Sequence, residues 1–247
     1  MFNIIKLNEK DNIGIAPMEI PENTKINLGI VTKNQIVHYS KFSLSYNEEA
    51  EQADWVAYRL YQNSINSKIK RKNNFRVDLE ILTSSAALED YRGKGYDRGH
   101  LAPAKSMSFN ELSISESFLM SNMSPQLPSF NRGVWKRLEG KIRRWAAISD
   151  SLYVVTGPVL DAPLGSIGIN KVLIPKAYYK VVLRYKNNEL NGIGFLLKHE
   201  KSSREIGDFS VSIDSVEIVT GLNFFYLLDS IQQDKVESNI SYSQFVN

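Results

Sequence analysis

Residues 131–148, NRGVWKRLEGKIRRWAAI, leave the chain few ways to fold. Prolines at 125 and 128 break the pattern just upstream, and apolar residues then recur at helical intervals, so a helix is expected from about Asn131 to about Ile148. With Trp135 at zero and about 100° per residue, Leu138, Ile142, Trp145 and Ala146 fall within about 80° on either side, forming one core-facing stripe. Asn131 lies inside that stripe, about 40° to one side; Glu139 lies about 40° to the other and Arg143 about 80° round. A buried amide or carboxylate needs a partner, because leaving one unsatisfied costs on the order of 1–3 kcal/mol. Helix geometry alone leaves a plainer alternative open, with Asn131 as an N-cap and Glu139 with Arg143 as a surface pair.

The rest of the chain is expected to supply a sheet for that stripe to pack on. From residue 25 to 45, alternating apolar and polar residues around TKNQ read as a β-hairpin. EEAEQADWVAYRLYQNSI places Ala53, Val56, Ala57, Leu60 and Tyr61 at helical spacing, which predicts a core-facing helix ending near Asn63. The Gly-rich stretch YRGKGYDRGHLAPA reads as loop, and ELSISESFLMSN (111–122) as a short helix. Downstream, LYVVTGPV, VLIPKAYYKVVLRY (broken by Pro175) and GIGFLLKH read as strands; SIDSVEIVTGLNFF reads as a strand leading into a short helix capped by Gly221. No linker separates two cores. The expected architecture is therefore one α+β domain over residues 1–247, with a central, largely antiparallel sheet flanked by helices.

Composition excludes several chemistries. There is no cysteine, so disulfides, thiolate metal sites and a cysteine nucleophile are ruled out. No apolar run approaches the roughly 18–20 residues of a membrane span, so no membrane partner is expected. The opening MFNIIKLNEKDNIG lacks an apolar core and a small-residue cleavage site, so no signal peptide is expected in the chain as it stands. A net charge of +3 says little, but Lys68, Lys70, Arg71 and Lys72 cluster, as do Lys136, Arg137, Lys141, Arg143 and Arg144; such patches attract polyanions.

Residues 96–104, YDRGHLAPA, set Asp97, Arg98, Gly99 and His100 side by side. This segment resembles the DRGH signature of the DNA/RNA non-specific endonucleases of the ββα-metal type. Asn122 to Arg143, NMSPQLPSFNRGVWKRLEGKIR, is similar to that family's second motif, an Asn-x-x-x-Gln element followed by Asn-x-x-x-Trp-x-x-Leu-Glu-x-x-x-Arg. RKNNF resembles its Arg-x-x-x-Phe segment and points to Arg71, and SIDSVEIVTGLNFF its closing element. The resemblance covers about residues 36–228, with extensions at both ends.

That resemblance implies a ββα-metal nuclease fold and a metal-dependent, sequence-non-specific hydrolase of DNA and RNA phosphodiester bonds. It assigns His100 as the general base, an imidazole suited to proton transfer near neutrality. Asn131 becomes the oxygen ligand of a hydrated Mg²⁺, with Mn²⁺ able to substitute, and Glu139 a partner of the ion's hydration shell. Arg71, Arg98 and Arg143 contact the transition-state phosphate. Asp97 orients its neighbours without binding metal, and His38 and His199 are structural. Exported location, periplasmic or secreted with a signal removed, is expected in preference to the cytoplasm, with room for a protein inhibitor and for a homodimer. Two alternatives stand beside this reading: a catalytically inactive nucleic-acid-binding module, and a phosphodiesterase of the same fold acting on small nucleotides.

Overall fold

The computed structural model describes residues 14–15, 30–64, 69–240 and 242–246. In chain order the strands begin with β1 Gly14–Ile15, β2 Val31–Thr32, β3 Gln35–His38, β4 Phe42–Asn47, β5 Gln52–Leu60, β6 Asp97–His100 and β7 Met123–Gln126. They continue with β8 Ser151–Val159, β9 Ser166–Ile167, β10 Val172–Leu173, β11 Ala177–Lys186, β12 Glu189–Lys198 and β13 Ser210–Val211. The helices are α1 Leu88–Tyr91, α2 Glu111–Glu116, α3 Pro128–Phe130, α4 Lys136–Ala146, α5 Ile213–Thr220, α6 Ser230–Glu237 and α7 Tyr242–Val246.

Seven strands form one antiparallel sheet in the order β13-β12-β11-β8-β5-β4-β3. Its longest hairpin, β11 with β12, turns through Asn187 and Asn188, both at positive φ (52° and 63°), which is the two-residue turn whose twist matches the strands it joins. Both faces of the sheet are covered. On one, Tyr58, Leu152, Val154, Tyr178 and Val182 pack against Trp135, Leu138, Ile142 and Trp145 of the main helix. On the other, Trp55, Ala57, Tyr153, Val155 and Val181 pack against Ile213, Val216, Phe224 and Val236. The fold class is therefore α+β as expected, and the apolar stripe of residues 135–146 is buried as the helical wheel requires.

This two-sided burial explains the main departure from expectation. Residues 52–60, read as part of a helix, are β5, near the centre of the sheet. Buried on both faces, the strand carries a nearly continuous apolar run instead of strict alternation, and such a run also fits helical spacing. The expected hairpin also shifts. β3 pairs with β4 around Tyr39–Lys41, while the segment holding TKNQ joins β2, paired with β1, to β3. Residues 25–29 of that expectation, and Lys68 of the first basic cluster, lie outside the described residues.

Asp97–His100, read as loop, is strand β6, paired antiparallel with β7 in a ribbon of its own. Gly99 sits opposite Ser124, and a Cβ there would lie 2.2 Å from the Gln126 side chain, so only glycine lets the two strands approach. Asn122 anchors the exit of β6: its side chain accepts from the Ala102 N–H (2.9 Å) and donates to the carbonyls of Ala102 (3.0 Å) and Ser117 (2.8 Å). The chain then runs from β7 through Pro128 into the main helix, giving two strands and a helix in sequence. The closing element differs in part: SIDSVEIVT, read as a strand leading into a helix, is helix from Ile213 to Thr220 with Ser212 as its N-cap, while the expected stop holds, Gly221 at φ 70° bonding the Glu217 carbonyl from its N–H at 2.7 Å.

Candidate active site

The helix expected from Asn131 opens as a wide, π-type turn over Asn131–Trp135 and becomes regular at Lys136. Gly133 takes φ −99° and ψ −112°, outside the helical region, and the Lys136 N–H reaches back to the Asn131 carbonyl. Such turns are costly within a helix and concentrate at functional sites. Asn131 has helical φ and ψ and is no N-cap. Its amide Nδ2 donates to Asp97 Oδ2 at 2.9 Å, while Arg132 holds the same carboxylate from Nε (2.9 Å) and Nη2 (2.6 Å). A carboxylate accepts only donors, so the amide orientation is fixed and Oδ1 is left without a hydrogen bond among the described residues. Asp97, in the strand that carries His100, thus orients Asn131 from the helix.

His100, 9% exposed, lies against two aromatic rings, edge-on to Phe118 (centroids 4.9 Å) and to Phe75 (5.7 Å). Nε2 is enclosed and has no partner, which leaves Nδ1 as the nitrogen able to meet water. Burial, with the fields of Arg71 and Arg98 added, lowers the imidazole pKa to about 3, so the ring is neutral and holds a free lone pair at neutral pH. The same aromatic pair seats the arginines. Arg98 lies 4.2 Å from the Phe75 centroid and Arg71 5.1 Å from that of Phe118, with Arg71 Nε bonded to Asn73 Oδ1 at 2.6 Å.

Glu139 and Arg143, one turn apart on α4, form no ion pair within 4.0 Å, so the surface-pair alternative does not hold; Arg143 Nη1 points instead to Ser106 Oγ (3.4 Å). Burial pushes the half-buried Glu139 carboxyl up, against the pull of Lys180, Arg143, Arg71 and Lys136. All six residues singled out from sequence, Arg71, Arg98, His100, Asn131, Glu139 and Arg143, line one cavity of about 960 Å³. Lys105 and Lys136 line it too, so cations outnumber the two carboxylates, Asp97 and Glu139. Such a cavity concentrates anions. An oriented amide oxygen and a carboxylate are also the hard oxygen donors a hydrated divalent cation takes, so the residues fit such an ion.

Three contributors escaped the sequence reading. Phe118 carries no motif of its own, and Phe75 was read only as the end of a spacing pattern; their role exists only once both rings meet the histidine. Lys180 lies within an apolar strand run where nothing marks a buried charge. His199 is structural, as expected. Nδ1 meets the Pro175 carbonyl (2.9 Å) and Nε2 accepts from the Leu127 N–H (2.7 Å), bracing the entry to the main helix. His38, exposed and bonded to Ser43, stands apart from the cavity.

Over most of its length the chain is similar to known proteins. The model of the DNA/RNA non-specific endonuclease family matches residues 21–230. A nuclease of Nostoc sp. is 31% identical over 219 residues, covering 84% of this chain and 79% of that protein. The human mitochondrial nuclease EXOG is 32% identical over 209 residues, 77% of this chain and 57% of its own length. Among solved structures, the crystal structure of the EndoG/EndoGI complex superposes with a TM-score of 0.75 at 30% identity, covering 81% of this chain and 89% of that one. With an α+β fold of the same kind and a match over most of its length, the chain belongs to the DNA/RNA non-specific endonuclease family and is, by that membership, a nuclease.

Proposed function

We propose that the protein is a metal-dependent endonuclease that hydrolyses DNA and RNA phosphodiester bonds without regard to base sequence. The observation that carries this reading is the Asp97 bridge, which frees the Asn131 carbonyl oxygen in the cavity that His100, Glu139 and three arginines share. Asn131 and Glu139 would hold a hydrated divalent cation, Mg²⁺ with Mn²⁺ able to replace it; when bound, it supplies Lewis-acid stabilisation of charge on the phosphate and the departing oxygen. His100 Nδ1 takes the proton of the attacking water. Burial and the charges of Arg71 and Arg98 hold its proton affinity low, and a bound phosphate would offset the part due to the arginines. Arg71, Arg98 and Arg143 bind the phosphate oxygens, staying charged throughout, and Phe75 and Phe118 fix His100 and two of those arginines in place.

Every proposed contact addresses phosphate, and such contacts carry no base information. An enzyme of this kind endangers its own cell's nucleic acid, which supports export or confinement over a cytoplasmic location. It also supports control by a protein inhibitor, as in the solved EndoG/EndoGI complex. The chain acts as one nuclease domain, with the site on one face of the sheet. Digestion of plasmid, single-stranded DNA and RNA tests the reading. Cleavage of all three is expected, abolished by EDTA and restored by Mg²⁺ or Mn²⁺. Binding without cleavage would point to an inactive module, cleavage of dinucleotides alone to a small-substrate phosphodiesterase, and chelator-resistant cutting would remove Asn131 from its role.

A further inference from the structure

A second pocket, of about 340 Å³, opens at the end of the sheet where β3 turns into β4 and β5 finishes. That volume falls within the range of about 300–1,000 Å³ in which small ligands are held. Four side chains along its wall form a row. Arg59 lies 5.7 Å from the centre of the Tyr61 ring, the Tyr61 and Phe109 centroids are 5.6 Å apart with the rings at 52°, and Lys41 lies 5.3 Å from the centre of Phe109. The row therefore reads cation, aromatic, aromatic, cation. Both rings are half-buried, and no Asp or Glu among the described residues lines the pocket. Lys41 and Arg59 form no ion pair among the described residues, and Arg59 Nε is enclosed without a hydrogen-bond partner. A guanidinium stays charged at any working pH, so the pocket holds positive charge that no carboxylate within reach offsets.

Two aromatic rings flanked by cations suit a nucleotide of an unpaired strand, whose base stacks while its phosphates meet the charges. Each cation sits near the outer limit of about 6 Å for its ring contact, so turning towards a phosphate gives up little. The pocket also adjoins the first cavity, since Ser108 lines that cavity and Phe109, the next residue, lines the pocket. We propose that this pocket is a second strand-binding subsite. An unpaired strand whose phosphate is cut in the first cavity continues past Ser108, stacks a base on Tyr61 and Phe109, and sets phosphates against Arg59 and Lys41. This rests on the reading of the first cavity as the cleavage site. Stacking reads no hydrogen-bonding edge, so indifference to base sequence is kept. Strandedness is sensed, because bases stacked within a duplex have no free face to offer.

The test uses the full chain in EDTA with a fluorescent oligothymidylate about 16 nucleotides long and a duplex of equal length. Tyr61→Leu keeps apolar volume and removes the stacking face. Fluorescence anisotropy should show its Kd for the single strand raised about fivefold to tenfold, and for the duplex by less than about twofold. Arg59→Gln and Lys41→Gln should each flatten the single-strand plot of log affinity against log salt by about 0.7. Irradiating the wild-type complex made with a 5-iodouracil strand should crosslink Tyr61 or Phe109, read by peptide mass spectrometry. With Mg²⁺, Tyr61→Leu should raise KM for that strand by the same factor as Kd. Equal losses on strand and duplex, or crosslinks that miss both rings, would overturn the proposal. So would thymidine monophosphate binding as tightly as the strand, which would mark a site for free nucleotides. If Tyr61→Leu does not fold, the exposed Lys41→Gln and the crosslink decide the matter. If the wild-type protein cleaves nothing, the functional reading fails separately, and binding and crosslinking in EDTA still decide whether the pocket takes an unpaired strand.

Discussion

Single side chains set the chemistry, and two of them give direct tests. His100 is held neutral because burial and two arginines oppose its protonation. Its pKa is lowered from the ordinary imidazole value, so the unfolded chain binds more protons than the folded one between about pH 3 and 6.5, and the stability this group contributes is lost as pH falls through that window. NMR of labelled histidine should show a neutral His100 ring at pH 5. His100→Ala should lower kcat by about 10²–10⁴-fold, the range for loss of a positioned base, with nucleic-acid affinity retained in a filter-binding assay. Asp97 holds the Asn131 amide. Asp97→Ala frees that amide to rotate, so the Mg²⁺ concentration for half-maximal cleavage should rise by about 10–100-fold, as on loss of groups that orient metal ligands. A metal titration of cleavage rate reads this directly.

Elements decide whether those side chains meet. The β6–β7 ribbon depends on Gly99, where a methyl group would strike Gln126. Gly99→Ala should therefore cost about 1–3 kcal/mol in urea unfolding, as overpacking does, and lower activity by displacing its neighbour His100. On the opposite face of the sheet, carboxylate oxygens of Asp214, Glu217 and Glu237 from α5 and α6 lie within 4.8 Å of one another. Burial, reinforced by neighbouring carboxylates, raises Glu237 to about 8 and Glu217 to about 7. With folded values above unfolded ones, these groups favour the folded state at low pH, and that contribution is lost as pH rises from about 4.5 through 8, opposite in sign to His100. Glu237→Gln should flatten the fall in melting temperature between pH 5 and 8.5.

The same scale shows what sequence could and could not reveal. The helix carrying Asn131, Glu139 and Arg143 was legible because one-sided burial writes a period into the chain, and the later strands because Pro, Gly and Asn punctuate them. β5 was not, since a strand covered on both faces loses its alternation. DRGH read as loop because its partner, Met123–Gln126, lies more than twenty residues downstream and only pairing makes it a strand. The charged and polar site residues were legible through their match to the family's motifs, whereas Phe118 and Lys180 were not, because what they do depends on what packs against them.

Taken whole, the molecule presents a cationic cavity on the helical-layer side of its sheet and a carboxylate cluster on the other. No helix among the described residues is long and apolar enough to cross a membrane. Association with a polyanion should therefore be oriented and salt-sensitive. With about three phosphates engaged by Arg71, Arg98, Arg143 and the neighbouring lysines, log affinity should fall against log salt with a slope of about −3 on duplex DNA. Exchanging base sequence at constant length should leave that slope unchanged, which fluorescence anisotropy with a catalytically dead variant would measure.

The Asp97 bridge has one more consequence. Because the strand that carries the histidine also grips the helix that carries the asparagine, the spacing between the proposed base and the proposed cation site is set before any polymer arrives. The protein has little adjusting left to do, so the adjusting falls on the polynucleotide, whose backbone must bend until a scissile phosphate drops into the fixed gap. Stretches that flex easily, such as nicks, bulges and pyrimidine–purine steps, should then be cut ahead of stiff ones, so the proposed base-indifferent cleavage would carry a preference for pliancy.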